Sequence, residues 1–162
     1  ADPNSKHNTP AAQQRRSDQM HARMKTGAMR SGGYSRALAG RRADLDDRYF
    51  RSSWEANYAR YLNWLIARRE IASWEFEPHT FYFEAIKRGT RSYLPDFKVL
   101  KPDGSHEWHE VKGWLDAKSK TKLARMAKYY PEETIVLIDS KWFRAANRSG
   151  LAATVGNWEG KQ

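Results

Sequence analysis

Three residues of this chain have the types and spacing for metal-assisted hydrolysis of a phosphodiester: Asp96, Glu110 and Lys112. Breaking that bond calls for a cation that lowers the pKa of a water and neutralises charge building at phosphorus. Carboxylates must hold the cation, and a lysine or base must stand beside the water. Asp96 follows Pro95 at the head of the run Phe97-Lys98-Val99, and Glu110 and Lys112 flank Val111. Alternate side chains of a strand share a face, so Glu110 and Lys112 project together. Val111 then points into the core, with its carbonyl available as a further metal ligand. Asp96 and Glu110 stand fourteen residues apart across the turn Pro102-Asp103-Gly104, a spacing that suits a hairpin aligning the two acids. Gly113 lets the backbone turn away and a phosphate chain approach closely. The sequence has no cysteine, so any metal must be held by carboxylates and histidines, which favours a hard ion such as magnesium or manganese.

A zinc site is the weaker reading. His106-Glu107-Trp108-His109 spaces its histidines three apart, where a helical zinc protease site needs four. On a strand the two rings face opposite ways. His79 reads as a loop or packing histidine, and no glycine-rich phosphate loop supports nucleotide hydrolysis.

The elements that would position these residues follow from hydrophobic period. Trp54, Tyr58, Tyr61, Leu62 and Leu65 recur at helical spacing, which predicts a helix over residues 53–69. Trp74 and Phe76 alternate with Glu75 and Glu77 as on a half-buried strand, and Pro78 interrupts. Phe81-Tyr82-Phe83 is a short aromatic run. Residues 93–100 read as one strand, with 107–112 as its hairpin partner. Residues 118–129 read as a helix with Leu123, Met126 and Ala127 on one face and lysines on the other. The apolar run 134–138 reads as a central strand buried on both faces. The tail from Lys141 is weakly patterned. The sum is an α/β domain whose mixed sheet is covered by helices.

Twenty-nine Lys and Arg against nineteen Asp and Glu give the 162-residue chain a formal charge of +10. Such an excess points to a polyanion, with DNA or RNA the usual one. No apolar stretch has the length of a membrane span, so no membrane partner is expected. The absence of cysteine fits a cytoplasmic setting. Residues 1–5 resemble a cloning remnant. The stretch up to residue 47 is polar and basic and reads as an arm, with the folded domain expected over 48–162. Two basic surfaces stand out. One is the arm, with Arg15, Arg16, Arg23, Lys25, Arg30, Arg36, Arg41 and Arg42. The other is the helix after the acids, with Lys118, Lys120, Lys122, Arg125 and Lys128. Arg51 is a further candidate DNA contact.

Pro95-Asp96 followed by Glu110-Val111-Lys112 resembles the motif of the PD-(D/E)xK nuclease superfamily. Upstream, Phe50-Arg51-Ser52-Ser53-Trp54-Glu55 is similar to the helix-borne acid segment of the phage endonuclease I family, which resolves branched DNA. The resemblance covers roughly residues 49–139 and implies a restriction-endonuclease-like core. It implies Asp96 and Glu110 as metal ligands and Lys112 as the residue that positions water or stabilises the transition state. It adds Glu55 as a fourth member of the site, on the same or a second metal. Glu55 has a competing reading, since Ser52-Ser53-Trp54-Glu55 fits a capping box at a helix start. The resemblance further implies a phage protein acting as a homodimer on four-way junctions.

The expectation is therefore a magnesium-dependent endodeoxyribonuclease acting on branched or nicked DNA. The alternatives are a catalytically idle DNA-binding module on the same fold, and a nuclease subunit of a recombination or transposition complex.

Overall fold

The computed structural model describes residues 38–160; residues 1–5 and the basic residues of the expected arm up to Arg36 lie outside the described residues. The first described element is an antiparallel ribbon of β1 (Gly40–Arg42) and β2 (Arg48–Phe50), joined through a 3-10 turn at Ala43–Leu45. Then come α1 (Ser53–Ala67), β3 (Ser73–Phe76), β4 (Phe81–Tyr82), β5 (Ser92–Tyr93), β6 (Phe97–Leu100) and β7 (His106–Val111). The chain continues through α2 (Ala117–Tyr129), β8 (Ile135–Ile138), α3 (Ser140–Arg148) and α4 (Leu151–Val155). The main sheet has the order β3-β6-β7-β8, antiparallel at its first two pairings and parallel between β7 and β8. This is the expected mixed α/β architecture. Among the described residues no helix is long and apolar enough to cross a membrane.

The β6–β7 hairpin sets the site's register. Gly104 donates to the Lys101 carbonyl at 3.0 Å and adopts φ +85°, a conformation that only glycine reaches without strain. Phe97 then pairs with His109, and Leu100 with His106. Extending that register by one residue sets Asp96 opposite Glu110. Side-chain alternation turns Trp108 and Glu110 to one face of β7, and His109 and Val111 to the other.

Each face has its own core. α1 and α3 cover the Val111 face with Tyr58, Leu62, Phe97, Val99, Ile138 and Phe143. α2 and the β4–β5 ribbon cover the Trp108 face with Phe81, Phe83, Tyr93 and Met126. Buried alanines at 56 and 59 bring α1 close to the sheet. At its start Ser52 accepts the Glu55 amide at 3.2 Å, so the cap read from the sequence is present.

Two expectations need correction, and the structure adds two features at the ends of the described chain. Residues 93–100 do not form one strand: Pro95 has no amide to give to a ladder, and the chain divides into β5, which pairs with β4, and β6, which pairs with β3 and β7. The apolar run 135–138 is not central. It lies at the sheet's edge, half-buried for three of its four residues, while β7 is the strand covered on both faces. The packed chain also begins upstream of residue 48, because β1 pairs with β2 and Leu45 is buried. The tail from Lys141 folds back on α1: Phe143 stacks on Trp54 at 4.4 Å, and Trp142 meets Tyr58 edge-on at 5.2 Å.

Candidate active site

Asp96 and Glu110 meet at the end of the β6–β7 ladder, both nearly buried at 4% and 9% exposure. Asp96 Oδ2 accepts the Val111 amide at 2.8 Å, which continues the ladder with a side chain where β6 has no further strand residue to offer. In an extended strand a residue's N–H and C=O point to the same side, so the Val111 carbonyl also faces the Asp96 edge. Lys112 turns the other way and donates its amide to Ile138 at 2.9 Å. Glu110 Oε2 accepts the hydroxyl of fully buried Tyr93 at 3.0 Å.

Two buried acids side by side cannot both ionise cheaply. Burial, and after it the charge of Glu110, pushes the Asp96 carboxyl up to about 8, against the Val111 amide and Arg51, which favour its charged form. Burial likewise raises Glu110, opposed by the Tyr93 hydroxyl and by the charges of Lys112, Lys122 and Arg51. The pair titrates as a unit and calls for positive charge.

That charge comes from Arg51. Its Nη2 is 2.8 Å from Asp96 Oδ1 and 2.5 Å from Glu77 Oε1, and its Nε is 3.8 Å from Glu55 Oε2. Burial pulls the guanidinium pKa down, but Glu55, Glu77, Asp96 and Glu110 together leave it raised. Glu55 reaches this cluster from the start of α1 and is 7% exposed. Its carboxylate is engaged in capping: Oε2 accepts the Arg51 amide at 2.9 Å and Oε1 the Ser52 hydroxyl at 3.1 Å. Both readings of Glu55 therefore describe one position, a cap that faces the acids. Among the described residues, no three or more His, Asp or Glu side chains are grouped to hold a metal ion together. Of the Asp96–Glu110 pair, Asp96 has Arg51 on Oδ1 and the Val111 amide on Oδ2, and Glu110 has the Tyr93 hydroxyl on Oε2.

Two members escaped sequence reasoning. Tyr93 reads as core. Glu77 reads as the solvent side of an alternating strand, yet it adopts φ +48° and its amide donates to the Asp96 carbonyl at 2.8 Å. The Glu-Pro pair at 77–78, which ends β3, was the one available signal. Arg51, a candidate DNA contact from the sequence, bridges acids in the structure.

The other candidates separate. Arg42 is largely buried against Glu159, with Nε 2.5 Å from Oε1, so it is a structural ion pair and not a free DNA contact. Arg41 pairs loosely with Asp47 at 3.4 Å in an exposed position. Lys118 and Lys120 are exposed on α2, Lys122 lies over the Tyr93 ring at 5.5 Å, and Arg125 lies over Phe83 at 6.0 Å. Lys128 lies over Tyr129 at 5.3 Å. What approaches Gly113 is the Trp54 indole, only 3.3 Å from where a Cβ would stand, and not open space for a phosphate chain. His109 is bonded to the Tyr58 hydroxyl at 2.7 Å and His106 to Glu133 at 3.0 Å, on opposite faces of β7 as expected. His79 packs edge-on against Phe81 at 4.8 Å.

A family profile described as "Protein of unknown function (DUF1064)" matches residues 37–144, two thirds of the chain, and the chain belongs to that family. No curated protein and no solved structure gives a significant match.

Proposed function

We propose that the chain is a metal-dependent endodeoxyribonuclease of the PD-(D/E)xK type. The observation that carries this reading is the juxtaposition of Asp96 and Glu110 across β6 and β7, with Lys112 two residues beyond Glu110 on the same face. The donor set fits a hard divalent ion. Two carboxylates and the Val111 carbonyl are all oxygens, and magnesium is commonly held by one or two carboxylates plus water and phosphate. Bound there, magnesium or manganese supplies an acidified water and a counter-charge for the phosphate. Asp96 and Glu110 would hold the ion, Tyr93 fixes the Glu110 carboxylate through its hydroxyl, and Lys112 would position the water or stabilise the transition state. Glu55 supports the site from the start of α1. On α2, Lys118 and Lys120 are exposed and Lys122 lies over Tyr93 beside the acids, lysines that suit phosphate contacts that read no sequence.

Nicking of plasmid DNA with magnesium and with EDTA tests the reading. Wild type should nick only with the metal, and Lys112→Ala should fail while still binding DNA. Alanine at both Lys118 and Lys120 should flatten the salt dependence of DNA affinity by about two phosphate contacts. Linear duplex, nicked duplex and a four-way junction, compared in parallel, define the substrate; preference for the junction together with a dimer on DNA would extend the likeness to the phage endonuclease I family. Cleavage only in the presence of a partner protein would indicate a subunit of a recombination complex.

A second reading, an idle DNA-binding module, draws on the guanidinium already lodged among the acids and on the lack of a third metal-binding carboxylate among the described residues. DNA binding with no metal-dependent nicking on any substrate would favour it.

A further inference from the structure

Arg51 bonds Asp96 Oδ1, an oxygen that a cation shared by the carboxylate pair would also use. Acids from three elements converge on this one side chain: Glu55 from α1, Glu77 from the end of β3, and Asp96 from the head of β6. A buried carboxylate such as Asp96 is costly without an opposite charge. Yet the side chain that supplies the charge is 56% exposed, so it is neither packed into the core nor shielded from exchange with solvent ions. Its hold is divided as well. The guanidinium bonds Asp96 Oδ1, whereas Glu77 Oε1 lies close to it but is buried without a well-aligned hydrogen bond. Glu77 is held beside it by a left-handed backbone at φ +48° and an amide bond to Asp96, a strained arrangement that keeps a second acid within the guanidinium's reach.

Resting on the nuclease reading above, we propose that Arg51 is the resident counter-ion of the carboxylate pair, holding Asp96 in the metal-free protein and yielding it to a divalent cation while keeping Glu77. Metal binding is then an exchange of one cation for another. Its affinity is set partly by how firmly Arg51 grips Asp96. An ordinary structural ion pair would behave differently, since its loss would cost the same stability whether or not a metal is present.

The test is calorimetric titration of Mn2+ alone into wild type, Arg51→Gln and Arg51→Lys, with thermal unfolding of each in EDTA and in saturating Mn2+. Arg51→Gln removes the competing charge and should bind Mn2+ about tenfold more tightly, the scale of one nearby charge in a partly solvated site. It should melt below wild type in EDTA, and the gap should close in Mn2+. Arg51→Lys keeps the charge without the two-pronged fork and should fall between the two, which keeps the comparison available if Gln does not fold. Unchanged or weaker Mn2+ binding, or an equal melting deficit with and without Mn2+, overturns the inference. Mn2+ binding by wild type without a gain in the variants sinks it alone; no Mn2+ binding by any of the three proteins removes the nuclease reading with it.

Discussion

Asp96 Oδ2 accepts the Val111 amide at 2.8 Å, so one acid of the pair is fixed by the strand that carries the other. Asparagine at 96 can keep that acceptor while losing the charge. Asp96→Asn should therefore fold with β6 and β7 in register, and in EDTA at pH 8 it should melt no lower than wild type. Cleavage should fall by about a thousandfold or more, the scale of losing several kcal/mol of metal-based charge stabilisation. Normal nicking by this variant would remove Asp96 from the site.

The pH dependence of stability follows from the same pair. The Asp96 carboxyl is raised from 3.8 to about 8 on folding, so the folded Asp96–Glu110 pair retains a proton that the unfolded chain has lost, and Arg51 balances the charge that remains. The stabilisation is complete below the unfolded value and disappears as pH rises through about 8. Burial lowers the His109 pKa from 6.5 and works against this below neutrality. The difference between wild type and Asp96→Asn, melted in EDTA from pH 6 to 9, isolates the acid. Wild type should lose ground steadily to the variant as pH rises, and Mn2+ should cancel the trend; a flat difference curve contradicts the assignment.

Tyr93 offers a milder probe. Its hydroxyl donates to Glu110 Oε2 at 3.0 Å, and Tyr93→Phe leaves that buried oxygen without its partner. A hydrogen bond to a charged group is worth about 1.5–3 kcal/mol. The Glu110 pKa should rise further, so the acid limb of the nicking rate at saturating magnesium should move to higher pH. The loss should be larger at pH 6 than at pH 8, and a uniform loss would mean Tyr93 serves packing alone.

Stability without chemistry is concentrated elsewhere. Arg60, 7% exposed, reaches Asp44 at 2.7 and 3.0 Å, Glu159 at 2.8 Å and Asn57 at 3.0 Å. This network ties the β1–β2 ribbon and the chain near residue 159 to α1. Arg60→Met leaves Glu159 and Asp44 short of charge and should cost about 3 kcal/mol in urea unfolding. Mn2+ affinity should stay unchanged, and a parallel loss would mean the network also shapes the site.

The sequence made the acid pair readable because its placement depends on local rules. A Pro-Asp-Gly turn pins the register, and a two-residue period decides which side chains share a face. Asp96, Glu110 and Lys112 needed nothing more. The acid contacts of Glu77 and Arg51 are not legible because they depend on distant strands, and a charged residue on an alternating strand or before a helix reads the same whether it meets water or another acid. The run 134–138 reads as central because apolar composition reports burial but not position. At the sheet edge it is half covered from the α1 side, with Ile138 in the core beside Val111 and Phe143. Arg42 and Glu159 lie 117 residues apart, and no pattern on either side of one announces the other.

The position of β8 carries one more consequence. Ile135-Val136-Leu137-Ile138 is uncharged, rich in branched residues and lies on the outermost strand. A rim of this kind is a template for a strand from another molecule and a nucleus for aggregation when folding is slow. Glu132, Glu133 and Asp139 flank it closely, acids that act as gatekeepers in an otherwise basic chain. Glu132→Ala, which removes one of these charges, should make refolding preparations clump sooner by light scattering, with the helices still folded.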